Sequence, residues 1–182
     1  MRRSIGTFAA PWSHHEDHTE FKAYYTDQYF VFRFNVKDSS IIDVGDTEES
    51  VTAGDRVELF FANSPALAEA YYCIEISPGG RVLDYRAKYH RQFDNTWKME
   101  GLQVAAIRCG TGYQVEGKID LAFFKWLMGT KKMKGRRVYV GAFRADISAQ
   151  SLPQDFIWFS WIRPKAASPD FHIPSSFGIF QF

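Results

Sequence analysis

The chain contains little cysteine and no long run of apolar residues. Cys73 and Cys109 are its only cysteines among 182 residues, too few for the disulfide framework of a small secreted domain, although one bridge between them stays open. No apolar run is long enough to cross a bilayer, so no membrane partner is expected. The basic start of the chain is not followed by the apolar stretch of a signal peptide. A cytoplasmic location and a secreted chain that has lost its leader fit equally well.

Neither sign of charge is in excess, and the common catalytic motifs are missing. The 22 Lys and Arg residues nearly balance the 21 Asp and Glu residues, which gives a net charge of +1. The basic surface of a nucleic-acid-binding protein is therefore not predicted. The sequence has no Gly-x-Ser-x-Gly, no His-Glu-x-x-His and no phosphate-binding loop. We assign no catalytic residue and expect no nucleic-acid partner.

Aromatic residues are abundant and follow a period of two. Phe, Tyr and Trp make up 17% of the chain, and these residues favour strands. In residues 29–36, every second residue is Phe or Val and polar residues stand between them, which is typical of a strand with one buried face. Similar patterns predict strands at residues 21–25, 29–36, 55–61, 71–76, 81–89, 102–108, 113–119, 137–145, 156–162 and 178–182.

These strands predict an all-β fold, an antiparallel β-sandwich of the immunoglobulin or jelly-roll kind. Short turns between neighbouring strands predict hairpins, and residues 38–54 are expected to form a long acidic loop. The one helical pattern covers residues 120–128, with Asp120 as its N-cap and Gly129 as its end. No repeat or linker divides the chain, so a single domain over residues 1–182 is predicted.

Three segments carry a resemblance to a known family. They are Asp55–Phe61 (DRVELFF), Tyr72–Ile76 (YCIEI) and the tail from Phe171 to Gly178. Together they resemble the family 9 carbohydrate-binding modules and their DOMON-like relatives. The resemblance implies a β-sandwich that binds a mono- or oligosaccharide without catalysis. It also implies two tryptophans that clamp the sugar, and bound calcium.

Charged residues in the strand patterns are the candidates for a polar site. Arg56 and Glu58 alternate with apolar residues in one strand, and Glu75 and Arg86 do so in two others. If they share a concave face, their carboxylates would accept protons from sugar hydroxyls, and their guanidinium groups would donate to sugar oxygens. The alternative is a salt-bridge network on a solvated sheet face. Arg144 repeats the pattern in a later strand, where an ion pair with Asp146 is the alternative to a ligand.

Aromatic side chains would complete such a site. Trp158 and Trp161 have opposite parity in one strand pattern, so a regular strand would direct them to opposite faces. Trp97 is expected near a turn and is the more exposed candidate. His172 is predicted either to bind the ligand or to hold the tail segment in place.

The sequence also contains candidate metal ligands, although their pattern is less specific than that of the polar site. The resemblance implies calcium, which Asp43, Asp46, Glu48 and Glu49 of the acidic loop would bind. His14, His15 and His18, beside Glu16 and Asp17, have the spacing of a transition-metal site, but a solvated segment explains them too. The predicted function is non-catalytic carbohydrate binding. The alternatives are a glycoside-processing enzyme or accessory subunit that uses the same carboxylates, and a protein-docking module; the oligomeric state is left open.

Overall fold

The computed structural model of the protein describes residues 4–16, 18–67, 69–147 and 155–182. Within these ranges the chain forms twelve strands, one α-helix and two 3₁₀ turns. The helix α1 is Leu121–Leu127, and the turns are Glu49–Ala53 and Pro174–Ser176. The strands are β1 Ser4–Thr7, β2 Thr19–Tyr25, β3 Tyr29–Lys37, β4 Arg56–Ala62, β5 Tyr71–Ile76, β6 Val82–Lys88, β7 Gln92–Asp94, β8 Leu102–Cys109, β9 Gly112–Asp120, β10 Arg137–Ile147, β11 Phe156–Ser160 and β12 Gly178–Gln181.

The strands form two antiparallel sheets. The first sheet has the order β1-β2-β3-β9-β8, and the second has the order β11-β10-β4-β5-β6-β7. Strand β12 pairs with the first half of β10 and β11 with its second half, so the two share one edge. The predicted hairpins β2–β3, β5–β6 and β8–β9 all form. The prediction of an antiparallel sandwich with one short helix is confirmed.

An aromatic core fills the space between the sheets. Phe21, Phe30 and Phe34 enter it from the first sheet, and Leu59 and Phe61 enter it from the second. The rings pack at ordinary aromatic distances, as between Phe30 and Phe61, whose centroids are 5.6 Å apart. Most of the phenylalanine content therefore serves this core.

A second apolar cluster covers the outer face of the second sheet. Phe60, Cys73 and Phe143 project to this face, where the C-terminal segment with Phe171 and Phe177 packs over them. As a result, every residue of β4 and β5 is buried. An antiparallel sheet usually leaves one face to solvent, so the polar residues of these two strands are in an unusual position.

The structure adds detail that the patterns did not predict. Strands β1 and β7 have only four and three residues, too few for an alternation to be visible. The acidic loop contains the 3₁₀ turn Glu49–Ala53. The helix is as expected at its start, where Asp120 Oδ1 accepts a hydrogen bond of 2.7 Å from the Ala122 amide. No helix in the described part of the chain is long and apolar enough to cross a membrane.

Both cysteines are free, so the disulfide bridge that the sequence had left open does not form. Cys73 is buried under the C-terminal segment and Cys109 is exposed at the β8–β9 turn. Burial raises the pKa of the Cys73 thiol well above its usual value. Of the two thiols, only that of Cys109 is accessible to solvent.

We expect a maleimide reagent to modify one thiol per native chain and two per chain in denaturant, because an accessible thiolate is the reactive form. Mass spectrometry of the digested protein would locate the native modification at Cys109. Rapid native labelling of Cys73 would contradict the placement of β5 beneath the C-terminal segment.

Candidate functional site

A pocket of about 350 Å³ opens on the outer face of the second sheet. Strands β4, β5 and β6 form its floor, and residues 169–172 of the C-terminal segment form one wall. Residues 91–95, around β7, form part of the rim. The volume lies within the range of small-molecule sites.

Strand register brings three charged residues together on the floor. Glu58 in β4 lies directly opposite Glu75 in β5, and Arg56 precedes Glu58 by two residues on the same face. On a solvated sheet these groups would face water. Here the exposed fractions of Arg56, Glu58 and Glu75 are 6%, 3% and 6%, because the C-terminal segment covers the sheet.

The single guanidinium is shared between the two carboxylates. Arg56 Nε donates a hydrogen bond of 2.9 Å to Glu58 Oε1, and Glu75 Oε2 lies 2.7 Å from the same nitrogen. Nε carries one hydrogen, which points to Glu58. Glu75 Oε2 is therefore buried without a hydrogen-bond partner among the described residues.

The other polar groups of the floor are already engaged. Glu75 Oε1 accepts a hydrogen bond of 2.8 Å from the Tyr85 hydroxyl. Arg56 Nη1 donates to the carbonyls of Thr52 and Gly54 at 3.2 and 3.3 Å. Burial, and then the negative charge of Glu75, raise the pKa of Glu58 to about 8, while Arg56 opposes them.

Aromatic rings form the walls above this floor. The indole of Trp158 lies over Arg56, with 5.3 Å between Cζ and the ring centroid. Phe93, 48% exposed, stands at the opposite rim and packs on Tyr85 at a centroid distance of 5.4 Å. His172 Nδ1 lies 3.0 Å from the Tyr71 hydroxyl. Burial, and then the charge of Arg91, lower the pKa of His172 to about 3, so its imidazole is neutral near pH 7.

Asp170 joins the two segments that form the rim. Its carboxylate accepts from Arg91 Nη2 at 2.9 Å, and it lies 2.8 Å from His90 Nε2. It also accepts the backbone N–H of His172 at 2.9 Å. The turn between β6 and β7 is thus held against the C-terminal segment. Arg91 and Asp170 were not predicted as site residues, since both lie outside the alternating strand patterns.

The chain matches a known protein family over almost its whole length. A family model described as "carbohydrate family 9 binding domain-like" matches residues 4–181. The chain belongs to this family. No curated protein sequence matches it.

Three solved structures share the architecture of this family 9 domain. A candidate carbohydrate-binding protein from Bacteroides uniformis ATCC 8492 has a TM-score of 0.73 at 18% identity, over 100% of this chain and 86% of its own. A family 9 carbohydrate-binding module from Caldicellulosiruptor kristjanssonii, in complex with glucose, has a TM-score of 0.60 at 17% identity, over 99% and 83%. A cellotriose complex of a module from the same organism has a TM-score of 0.59 at 17% identity, over 99% and 81%.

Two of the predicted arginines lie away from the pocket. Arg86 pairs across the sheet with Tyr72, so it occupies the other face of β6, where it is exposed and binds Asp94 at 2.5 Å. The expectation that Arg86 shares a face with Glu58 and Glu75 is therefore wrong. Arg144 also lies on the inner face, where it binds Asp38 at 3.0 Å and Asp146 at 2.9 Å. The ion pair with Asp146 is the alternative that the sequence had offered.

Two of the predicted tryptophans also lie elsewhere. Trp97 packs on Tyr72 with 4.8 Å between centroids and borders a separate surface cleft. Trp161 follows the end of β11 and packs against Phe21 at 6.3 Å. Trp158 and Trp161 therefore face different sides, as their parity predicted, and Trp158 is the one that lines the pocket.

Within the described ranges, the predicted metal ligands form no group of three whose ligand atoms lie close together. Asp43 binds Arg81 and Arg108, and Glu48 binds Lys98 at 2.5 Å. His14, His15 and His18 are exposed, and neighbouring Asp17 lies outside the described residues.

A different set of three carboxylates lies beside Arg144. Oxygens of Asp38, Asp55 and Asp146 are within 4.8 Å of one another. Burial raises the pKa of Asp55 to about 7, although its oxygens accept the amides of Ile42 and Ile147 at 2.6 and 2.7 Å.

Replacing Arg56 by Met should destabilise the domain by about 3–5 kcal/mol, because it leaves two buried carboxylates without their cation. Chemical denaturation monitored by tryptophan fluorescence would measure the loss. Arg86→Met is the matched control, and we expect about 0–1 kcal/mol because the ion pair with Asp94 is exposed. Equal losses in the two variants would show that the Arg56 charge does not stabilise the floor.

Proposed function

We propose that the protein is a non-catalytic carbohydrate-binding domain and that the sugar lies in the pocket over Arg56, Glu58 and Glu75. The observation that carries this proposal is a pocket lined by these three charged side chains together with the Trp158 indole and the Phe93 ring. Sugars carry a hydroxyl on most carbons, and carboxyl groups such as those of Glu58 and Glu75 would accept hydrogen bonds from these hydroxyls.

The walls suit the other chemistry of a pyranose. Its C–H face is apolar and stacks on aromatic rings, while its hydroxyls need polar partners. Trp158 offers an indole on one side of the pocket and Phe93 offers a half-exposed ring at the rim. We infer that these two rings take the place of the two-tryptophan clamp implied by the family resemblance, since Trp97 and Trp161 lie elsewhere.

The known ligands of the similar structures support the same class of ligand. Two of them hold glucose and cellotriose, which are uncharged sugars. The floor of this pocket has one cation and two carboxylates, and Arg91 at the rim is paired with Asp170. The described residues that line the pocket thus carry no excess of positive charge that would favour an anionic ligand.

Glycoside hydrolysis is the second candidate, because it uses two carboxylates placed close together. Glu58 Oε1 and Glu75 Oε2 lie 2.9 and 2.7 Å from the same nitrogen of Arg56. However, that guanidinium stands between the carboxylates at the base of the pocket. We infer that it holds them as hydrogen-bonding partners for sugar hydroxyls rather than as an acid and a nucleophile.

We further infer that a calcium ion, which the family resemblance implies, would be held by Asp38, Asp55 and Asp146. Their oxygens are the ligands calcium prefers. Among the described residues, these three carboxylates lie within 4.8 Å of one another and Arg144 binds two of them, so the described groups of this cluster carry more negative than positive charge. Calcium would neutralise this charge and hold the acidic loop to the end of β10.

Isothermal titration with glucose and cellotriose should show saturable binding, with xylose and short xylans as further ligands. Trp158→Ala should weaken binding about tenfold, the loss of roughly one aromatic contact. Trp97→Ala is the matched control, with unchanged affinity expected. Flat heats for every sugar in a folded sample would overturn the proposed function. Release of reducing ends that stops in both Glu58→Gln and Glu75→Gln would favour the hydrolase instead.

Calcium should raise the melting temperature of the domain and a chelator should lower it, because a ligand that binds only the folded state stabilises it. The effect should be larger at about pH 8 than at about pH 5.5, since protons compete for Asp55 at the lower pH. Asp146→Asn should reduce the effect. Asp46→Asn, which changes the exposed acidic loop, should leave it intact; the reverse pattern would return calcium to that loop.

A further inference from the structure

The pocket floor contains two buried acidic side chains but one buried basic side chain. Glu58 and Glu75 lie opposite each other in adjacent strands, and like charges in this position repel each other. Arg56 is the cation within hydrogen-bond distance of both. Arg91, the next cation that lines the pocket, is bound by Asp170 at 2.9 Å.

The groups that face Glu58 from the neighbouring elements leave this imbalance in place. Strand β5 contributes Glu75 and the buried thiol of Cys73, β6 contributes the Tyr85 hydroxyl, and β10 places uncharged Phe143 directly opposite Glu58. The remaining titratable groups of the wall are Arg91, Asp170 and His172. The first two form an ion pair, and His172 is neutral near pH 7.

We propose that Glu58 and Glu75 hold one proton between them at neutral pH, on Glu58, so that the floor donates as well as accepts hydrogen bonds and releases sugar as this proton is lost at higher pH. The inference rests on the proposed function for its binding half. With one proton, the trio of Arg56, Glu58 and Glu75 has no net charge. Its burial then requires no further cation.

The proton determines which atoms of a sugar the floor recognises. A protonated Glu58 offers an O–H donor, and the carboxyl group of Glu75, which also lines the pocket, offers an acceptor beside Arg56. A sugar hydroxyl both donates and accepts, so one hydroxyl, or two adjacent ones, would match this pair. Ionisation of Glu58 removes the donor and adds a second buried negative charge. The ligand class is therefore a polyol with free hydroxyls, and O-methylation of the recognised hydroxyl would abolish the match.

The first test needs no ligand. In protein labelled with carbon-13 at the glutamate carboxyl, we expect one carboxyl resonance to titrate near pH 8. This resonance should be absent from Glu58→Gln and unchanged in Glu116→Gln, which alters an exposed ion pair with Arg33. If every glutamate of the wild-type protein titrates below about pH 6, near the ordinary range, the shared proton is excluded, whether or not any variant folds.

The second test measures binding against pH. The Kd of the wild-type protein for cellotriose should rise by about tenfold for each pH unit above the pKa of the pair. In Glu58→Gln, whatever its absolute affinity, the Kd should change by less than about twofold over the same range, because an amide has no proton to lose. A wild-type Kd that is constant from about pH 6 to pH 9.5, or the same slope in the variant, would overturn the proposal.

The two tests separate the two claims. Absence of sugar binding at every pH would overturn the proposed function and the binding half of this inference, while the resonance still decides the proton. Binding of cellotriose without an alkaline carboxyl titration would leave the function standing and overturn the shared proton.

Discussion

The guanidinium of Arg56 is the interaction on which the pocket depends. It is buried, it lies between two carboxylates from adjacent strands, and it also donates to the carbonyls of Thr52 and Gly54. One side chain therefore joins the start of β4, the end of the acidic loop and the pocket floor. Without it, the two buried carboxyl groups that face each other in β4 and β5 would have no cation beside them, at the centre of the second sheet.

The charge of Arg56 has this effect only because the C-terminal segment covers the sheet. Phe171 stacks on Phe143 at a centroid distance of 4.1 Å, and Ser176 Oγ donates to the Phe171 carbonyl, which fixes the path of the segment. Asp170 then binds the β6–β7 turn from the other side of the pocket. The covering layer converts an exposed strip of charges into a desolvated site, where charge-assisted hydrogen bonds are stronger than in water.

The sequence predicts where the strands lie more clearly than which of their side chains lie on the same face of the sheet. Long alternations in β3, β4 and β9 and the turns after β2 and β5 made the hairpins predictable, and the same alternation identified Arg56, Glu58 and Glu75. Arg86 had an equally regular pattern in β6, but the register across the β5–β6 turn pairs Glu75 with Leu83 and Tyr72 with Arg86. A shift of one residue in that register would have exchanged the faces, and no local pattern specifies it.

Residues outside the strands were predictable only as polar or aromatic. Trp97 follows β7, a strand too short to show a pattern, and nothing in its neighbourhood indicated that its ring packs on Tyr72 rather than lining the pocket. Arg91 and Asp170 are 79 residues apart in the chain, and their contact exists only because the C-terminal segment returns across the sheet. Contacts of this kind depend on the whole topology, which periodicity does not report.

Two clusters of acidic side chains in the described part of the chain have more carboxyl groups than guanidinium groups. At Arg56 the excess is one carboxylate, and at Arg144 it is two. A proton can balance the first site, whereas the second has the charge and the oxygen ligands for a divalent ion.

The pKa of Glu58 rises from 4.5 to about 8, and that of Asp55 rises from 3.8 to about 7. Because both groups bind protons more tightly in the folded chain than in the unfolded one, each contributes stability that is complete below its unfolded pKa and is lost as the pH rises through its folded pKa. In the absence of calcium, Asp55 and Glu58 should therefore each stabilise the domain less as the pH rises from about 4 to about 8. His172, whose pKa is lowered to about 3, acts in the opposite direction below about pH 6.5.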